Sequence, residues 1–265
     1  MTSQHPILFN DGHAYERAMG IWSQLVGHQF LDWLDPSPGR RWLDVGCGNG
    51  AFTEVLVQRR NAAEIVGIDP SEAQLAFARG RSGAVGASFL HGDAMAVPFS
   101  NDRFEVSVMA LVLFFVPDPA KGVSEMSRVT CPGGTVAAYV WDDLGDGSPL
   151  APIAAEMKTL GVSIARPPRL EISRIDALRQ LWADAGLEAV QTRSITAERT
   201  FADFESYWLS VISNTSVAPV VREMPANDIG QLKTRLRGRA VSSSLGGITY
   251  EARANAIKGY VPKAS

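Results

Sequence analysis

"RRWLDVGCGNGAF", residues 40–52, decides how the 265-residue chain is read. Trp42, Leu43 and Val45 have the apolar, partly β-branched character of a short buried strand, and "NGAFTEVLVQRR" continues as a helix. Between them Gly46, Gly48 and Gly50 make a turn where a Cβ would block positive φ and keep the backbone away from a ligand. Such a loop can serve a dinucleotide, a phosphate group or a sulfonium cofactor, or it can be a structural turn without ligand. A dinucleotide fingerprint spaces its glycines GxGxxG, whereas this stretch reads GxGxG with Asp44 two residues before the first glycine. An acid there repels a pyrophosphate, by about 1 kcal/mol at 4 Å even in water, but attracts a cation. A phosphate loop would need Lys followed by Ser or Thr, and "GCGNGAFT" has neither in place.

Working outward, strands and helices alternate. "EIVGID" follows the first helix, and its Asp69 falls 23 positions after Gly46, where the second strand of a βαβ unit presents an acid to ribose hydroxyls. "ASFLHGDAMAVPF" then brings Asp93, able to accept from an adenine amino group, beside Ala94 and Met95. "FEVSVMAL", the helix "PAKGVSEMSRV", a turn "CPGG" and "TVAAYVW" complete a parallel pattern covered on both faces. Upstream, residues 14–34 place Met19, Trp22, Val26, Phe30 and Leu34 at helical spacing. Downstream come a helix at "ISRIDALRQLWADAGL", a strand-like "EAVQTRSITAERTF", further helices, and an alternating last run through Ile248, Tyr250, Ala252, Ala254 and Ala256.

Composition narrows the partners. With 46% hydrophobic and 20% charged residues the chain reads as an ordinary globular protein, and a net charge of −3 supplies no positive field for nucleic acid or anionic membrane. The longest apolar run, "VSVMALVLFFVP" from Val106, is about half of the roughly 20 residues a membrane helix needs. Cys47 and Cys131 form no CxxC motif and the start lacks a basic and apolar leader, so a cytoplasmic location is expected. No His/Asp/Glu cluster has metal-ligand spacing.

"LDVGCGNGAF", "GIDPSEAQLAFAR", "GDAMAVPFSNDRFEV" and "ALVLFFVPDPAKGVSEMSRVTCPGG" together resemble the class I S-adenosylmethionine-dependent methyltransferases, and within them the type 11 group of small-molecule enzymes. The resemblance covers residues 14–141. It implies a Rossmann-like, doubly wound α/β fold whose seven-stranded sheet has the order 3-2-1-4-5-7-6 with strand 7 antiparallel and helical cap insertions. Strands six and seven then fall at 188–200 and 248–260 of a single domain, residues 1–265. Residues 1–35 would be a lid helix, 36–141 the cofactor-binding core, and 142–186 with 200–246 the substrate cap. By the same resemblance Gly46, Cys47, Gly48 and Asn49 face the methionine part of S-adenosylmethionine, and Asp69 the ribose. Asp93 and Ala94 face the adenine, Pro70 and Met95 sandwich its ring, and the Ala110 and Leu111 backbone lies near the amino-acid end.

The implied reaction is methyl transfer to a small organic molecule, leaving S-adenosylhomocysteine. In-line displacement needs alignment and exclusion of water more than it needs a base. Relatives often carry a histidine after strand four; here stand Phe114 and Phe115, an apolar wall. His5, His13, His28 and His91 include no clear proton acceptor, so no catalytic residue is assigned. Tyr15, Met19 and Trp22 share one helix face and with Phe115, Trp141 and the adjoining Asp142 are the expected substrate-pocket residues; for the helical three, simple core packing is the other reading. The amino-methylation signature, Asn or Asp followed by Pro-Pro-Tyr, is absent after strand four, which favours an oxygen or carbon acceptor. The basic run "KTRLRGR" reads as a solvated helix surface. The competing functions are a nicotinamide-dependent oxidoreductase and a cofactor-binding protein without catalysis; oligomeric state is not legible.

Overall fold

Each apolar run bounded by turn residues forms a strand in the computed structural model, which describes residues 11–59, 61–239, 241–242 and 247–263. The strands are β1 (Arg41–Val45), β2 (Glu64–Asp69), β3 (Ser88–His91), β4 (Phe104–Ala110), β5 (Thr130–Trp141), β6 (Glu188–Phe201), a two-residue β7 (Val241–Ser242) and β8 (Ile248–Tyr260). The seven long strands lie in the order β3-β2-β1-β4-β5-β8-β6, with β7 hydrogen-bonded to β8. β8 runs antiparallel to both β5 and β6, and the rest of the sheet is parallel. This is the expected Rossmann-like order, with β8 in the place of strand seven.

Chain reversal occurs at β1. From there the β1–β2–β3 crossovers run one way along the sheet, through α3 (Ala51–Arg59) and α4 (Glu72–Gly80). The β4–β5 crossover runs the other way through α5 (Pro119–Val129). Because such crossovers are right-handed, opposite directions put α3 and α5 on opposite faces. Covered on both sides, β1 buries four consecutive residues, Trp42 to Val45, instead of alternating. "CPGG" is not a separate turn: residues 131–134 belong to the irregular start of β5, where Gly133 at φ +76° donates its N–H to Val261 O.

The N-terminal segment is one continuous rod. α1 (Gly12–Tyr15) passes through a π-helical turn, Glu16–Gly20, into α2 (Ile21–Leu34). Asp11 caps its start, its carboxylate accepting from Ala14 N at 2.9 Å. α2 packs on the sheet through Phe30, whose ring centroid is 4.8 Å from that of Tyr139 on β5 and 6.0 Å from that of Phe52 on α3. Gly27 is required in this contact, since a Cβ there would stand 2.9 Å from the Phe52 ring.

Beyond the sheet lie α6 (Ala151–Thr159), α8 (Phe204–Ile212), α9 (Ala218–Glu223) and α10 (Ala226–Arg239). The basic run lies on a largely solvated helix surface, and its cations also pair across this layer. Lys233 and Arg237 reach Glu205 of α8 at 2.9 and 2.5 Å, and Arg239 reaches Glu156 of α6 at 2.6 Å. The expected cap segment 142–186 divides. Its last part is α7 (Ile175–Asp184), which buries Leu178 and Trp182 against the sheet, with Trp182 Nε1 donating to Val136 O of β5 at 3.0 Å. An apolar stripe at i and i+4 needs a sheet face to cover it, so α7 belongs to the helical layer and not to a cap.

Candidate functional site

Three strands end side by side at the turn. Gly46 and Cys47 donate their N–H groups to Ile68 O at 2.7 and 2.9 Å, which folds the loop over the end of β2. Gly46 is at φ +75°, and a Cβ would stand 2.5 Å from the Val112 side chain. Gly48, at φ +53°, differs: a Cβ would meet no atom within 4 Å, because the position opens onto a cavity.

That cavity holds about 350 Å³. Of the expected cofactor residues, Gly46, Gly48, Asp69, Pro70, Asp93, Ala94 and Leu111 line it. Cys47, Asn49 and Ala110 line a small recess next to it, together with Asp44. Met95 lines neither and packs against the hydrophobic core instead, so the apolar faces over this cavity come from Pro70, Val112, Phe115 and Val116. Val112 and Val116 sit in the loop after β4, where an unbroken apolar run gives no sign of which residues face a cavity.

Asp69 is the organising acid. Gly48 N–H donates to Oδ2 at 2.9 Å and Ser71 N–H to Oδ1 at 2.8 Å, so each oxygen is oriented and retains acceptor capacity. Burial pushes its carboxyl above the usual range, and these two backbone donors oppose that rise. Next along, Gln74 is 2% exposed, lines the cavity and has no partner for either amide atom. An unpaired buried amide is costly, and its placement here is that of a ligand contact. The sequence offered one signal for it, its position in the first turn of α4 after Asp69.

Asp44 is wholly buried. Thr53 Oγ1 donates to its Oδ2 at 2.6 Å, while Oδ1 has no partner. Burial pushes the carboxyl up to about 7, the Thr53 bond opposes this, and the Asp69 charge adds to it. An orphaned carboxylate oxygen at the recess suits an ammonium, the cationic end of an amino acid. Together the donor set fits S-adenosylmethionine: acid at the amino-acid end, acid at the ribose position, apolar faces beyond.

A second cavity of about 310 Å³ adjoins the first. Tyr15, Leu111 and Phe115 line both, and Tyr15 also lines the recess. Met19 and Trp141, two further expected pocket residues, line the second cavity, but Trp22 does not. Trp22 is 3% exposed and packs edge-on to Trp141 at 6.5 Å, supporting the wall from behind. Asp142 is held away by Arg253 of β8, whose Nε donates to Oδ2 at 2.8 Å, and the next residue, Asp143, faces the cavity. Asp143, Lys158, Arg166 and the segment Asn214–Ser216 come from distant parts of the chain, which is why residue patterns did not expose them.

His13, His28 and His91 line none of these cavities, and His13 packs edge-on to Phe77. His5 lies outside the described residues. Among the described residues no His, Cys, Asp and Glu group could hold a metal ion, and no helix is long and apolar enough to cross a membrane.

Residues 43–138 match the family model described as "Methyltransferase domain". A 2-phytyl-1,4-naphtoquinone methyltransferase of Thermosynechococcus vestitus is 36% identical over 119 residues, 44% of this chain and 51% of that protein. A demethylmenaquinone methyltransferase of Shouchella clausii is 28% identical over 185 residues, 62% of this chain and 77% of that protein. The match thus spans about half the length of the first relative. Among solved structures, the YcgJ protein of Bacillus subtilis superposes with a TM-score of 0.57 at 15% identity, covering 90% of this chain and 99% of its own, a likeness of fold.

Proposed function

Because residues 43–138 match a methyltransferase domain, we propose that the chain is a class I S-adenosylmethionine-dependent methyltransferase that transfers a methyl group to a small organic molecule held in the second cavity, with oxygen or carbon as the accepting atom. The observation that carries this reading is the shared wall: Tyr15, Leu111 and Phe115 stand between a cavity suited to the methyl donor and a separate cavity with aromatic walls and a polar edge.

S-adenosylmethionine, when bound, supplies an electrophilic methyl carbon on a sulfonium. This chain's residues do the rest. Asp69 and Gln74 orient the ribose side, Asp44 meets the ammonium end, and the glycine loop permits close approach. Phe115 and Tyr15 screen the junction from water, and Phe114, Trp141 and Met19 give the acceptor a flat apolar wall. Positioning and desolvation of this kind account for large accelerations without a dedicated acid or base. The quinone methyltransferases among the relatives support a small-molecule acceptor. The absence of a net positive field supports the exclusion of nucleic acid, and the reduced-thiol composition a cytoplasmic setting.

Calorimetry with S-adenosylhomocysteine and with NAD tests the donor assignment. The expected result is a stoichiometric isotherm for the first and none for the second; the reverse would establish the oxidoreductase reading instead. Transfer of a labelled methyl group to a metabolite panel separates catalysis from cofactor binding alone.

A further inference from the structure

We propose that Asp143 is the proton acceptor for a hydroxyl-bearing aromatic methyl acceptor in the second cavity, an assignment that rests on the methyltransferase reading of the adjoining cleft. Asp143 opens the turn directly after β5 and lines the same cavity as Tyr15 and Phe115. Its carboxylate is half-buried and accepts a hydrogen bond from the Ser148 hydroxyl, itself 6% exposed, so the group is held in place from below. Phe114, Phe115, Trp141 and Met19 supply the flat apolar surfaces that would seat an aromatic ring beside it.

The surroundings single this carboxylate out. Asp142 is paired with Arg253 at 2.6 Å, and Asp146, which also lines the cavity, is exposed at the far end of the turn, leaving Asp143 the less exposed of the two acids on the cavity wall. Arg166 faces Asp143 from the loop after α6, Lys158 lines the cavity from α6 itself, and Glu171 lies on the turn Leu170–Ser173 packed against it. No imidazole or thiol lines the cavity among the described residues. Tyr15 cannot serve at neutral pH, because burial and then the charges of Asp69, Glu16 and Asp44 push its phenol well above its ordinary value. Burial pushes the Asp143 carboxyl up to about 6, against the Ser148 bond and the Arg166 charge. It therefore remains mostly ionised at pH 7 while being a stronger base than an exposed carboxylate, the condition that favours general-base action. As the acceptor oxygen bonds to the methyl carbon, its proton passes to Asp143. The carbon–sulfur bond breaks with its electron pair left on sulfur, and the proton is then released to solvent.

The test uses the full chain with phenol and 4-nitrophenol as acceptors and a labelled methyl donor. Wild type is expected to methylate both, and Asp143→Asn to lose about 10²- to 10⁴-fold on phenol but no more than about tenfold on the more acidic 4-nitrophenol. A second readout needs no turnover: the Asp143 carboxyl carbon, followed by NMR in the S-adenosylhomocysteine complex, should titrate near pH 6 and shift when phenol binds. Ser148→Ala, which removes a stabilising donor, should move that midpoint upward and the acid limb of the rate with it. Equal losses on both phenols, no methylation of either by wild type, or a carboxyl indifferent to phenol would each overturn the proposal while leaving the donor site assigned. Failure of wild type to bind S-adenosylhomocysteine would instead overturn the reading on which it rests.

Discussion

Gly48 N–H and Asp69 Oδ2 lie 2.9 Å apart, a bond that ties the glycine loop after β1 to the acid that ends β2. The loop and the proposed ribose acceptor are therefore one unit. Asp69→Asn keeps the size of the side chain but replaces one acceptor oxygen by a donor, which then opposes either a backbone N–H or a ribose hydroxyl. Hydrogen bonds to a charged group contribute about 1.5–3 kcal/mol, so affinity for S-adenosylhomocysteine should fall about 10- to 100-fold. Calorimetry checks this, and an unchanged Kd would remove Asp69 from the site.

The orphaned Asp44 makes both stability and binding pH-dependent. Its carboxyl rises from 3.8 to about 7 on folding, so between these values the native state holds a proton that the unfolded chain has lost. Stability of the free protein should accordingly fall as pH rises through that window, the opposite of a salt-bridged aspartate. A bound ammonium favours the ionised form. Binding should release about one proton at pH 6 and almost none at pH 8, measurable by calorimetry in buffers of different ionisation enthalpy. Asp44→Asn should abolish the release.

Gly46 meets two separate restrictions, positive φ and a Val112 side chain 2.5 Å from where a Cβ would be. Gly46→Ala should cost at least about 2 kcal/mol in urea denaturation, from the left-handed backbone and the overlap together. Adding Val112→Ala relieves only the overlap. Full recovery in the double variant would show that the backbone conformation carries no cost.

Arg81 anchors the N-terminal rod. Its guanidinium bonds to Glu16 in the π-turn, to Glu54 at 2.6 Å and to Asn49 O at 3.0 Å, while Asn49 Nδ2 donates to Glu16 Oε2 at 2.8 Å. Gly20 leaves room for the Glu16 carboxylate. Arg81→Met should lower stability by about 1–3 kcal/mol and leave Glu16 without its cation. Hydrogen exchange of the amides around residues 12–20 should quicken, and rates equal to wild type there would show that packing alone holds the rod.

Most of the residues expected for the donor line one cavity, for a physical reason: Asp69 and Asp93 sit at the ends of strands whose alternation with helices is local. A parallel sheet then brings those ends together without further information. Trp22 shows where this stops, since helical spacing cannot separate a residue that faces a cavity from one that packs behind its wall.

What the sequence by itself determined, then, is the succession of strands and helices along the chain and the acids at the strand ends, because period and punctuation are properties of neighbouring residues. Only the tertiary structure decided the second cavity. Tyr15, Asp143, Arg166 and Asn214 meet there through the folding of a helix, two turns and a loop far apart in the chain. Their burial and charges are set by that meeting, and so is the difference between Asp142, paired with Arg253, and Asp143, which lines the cavity.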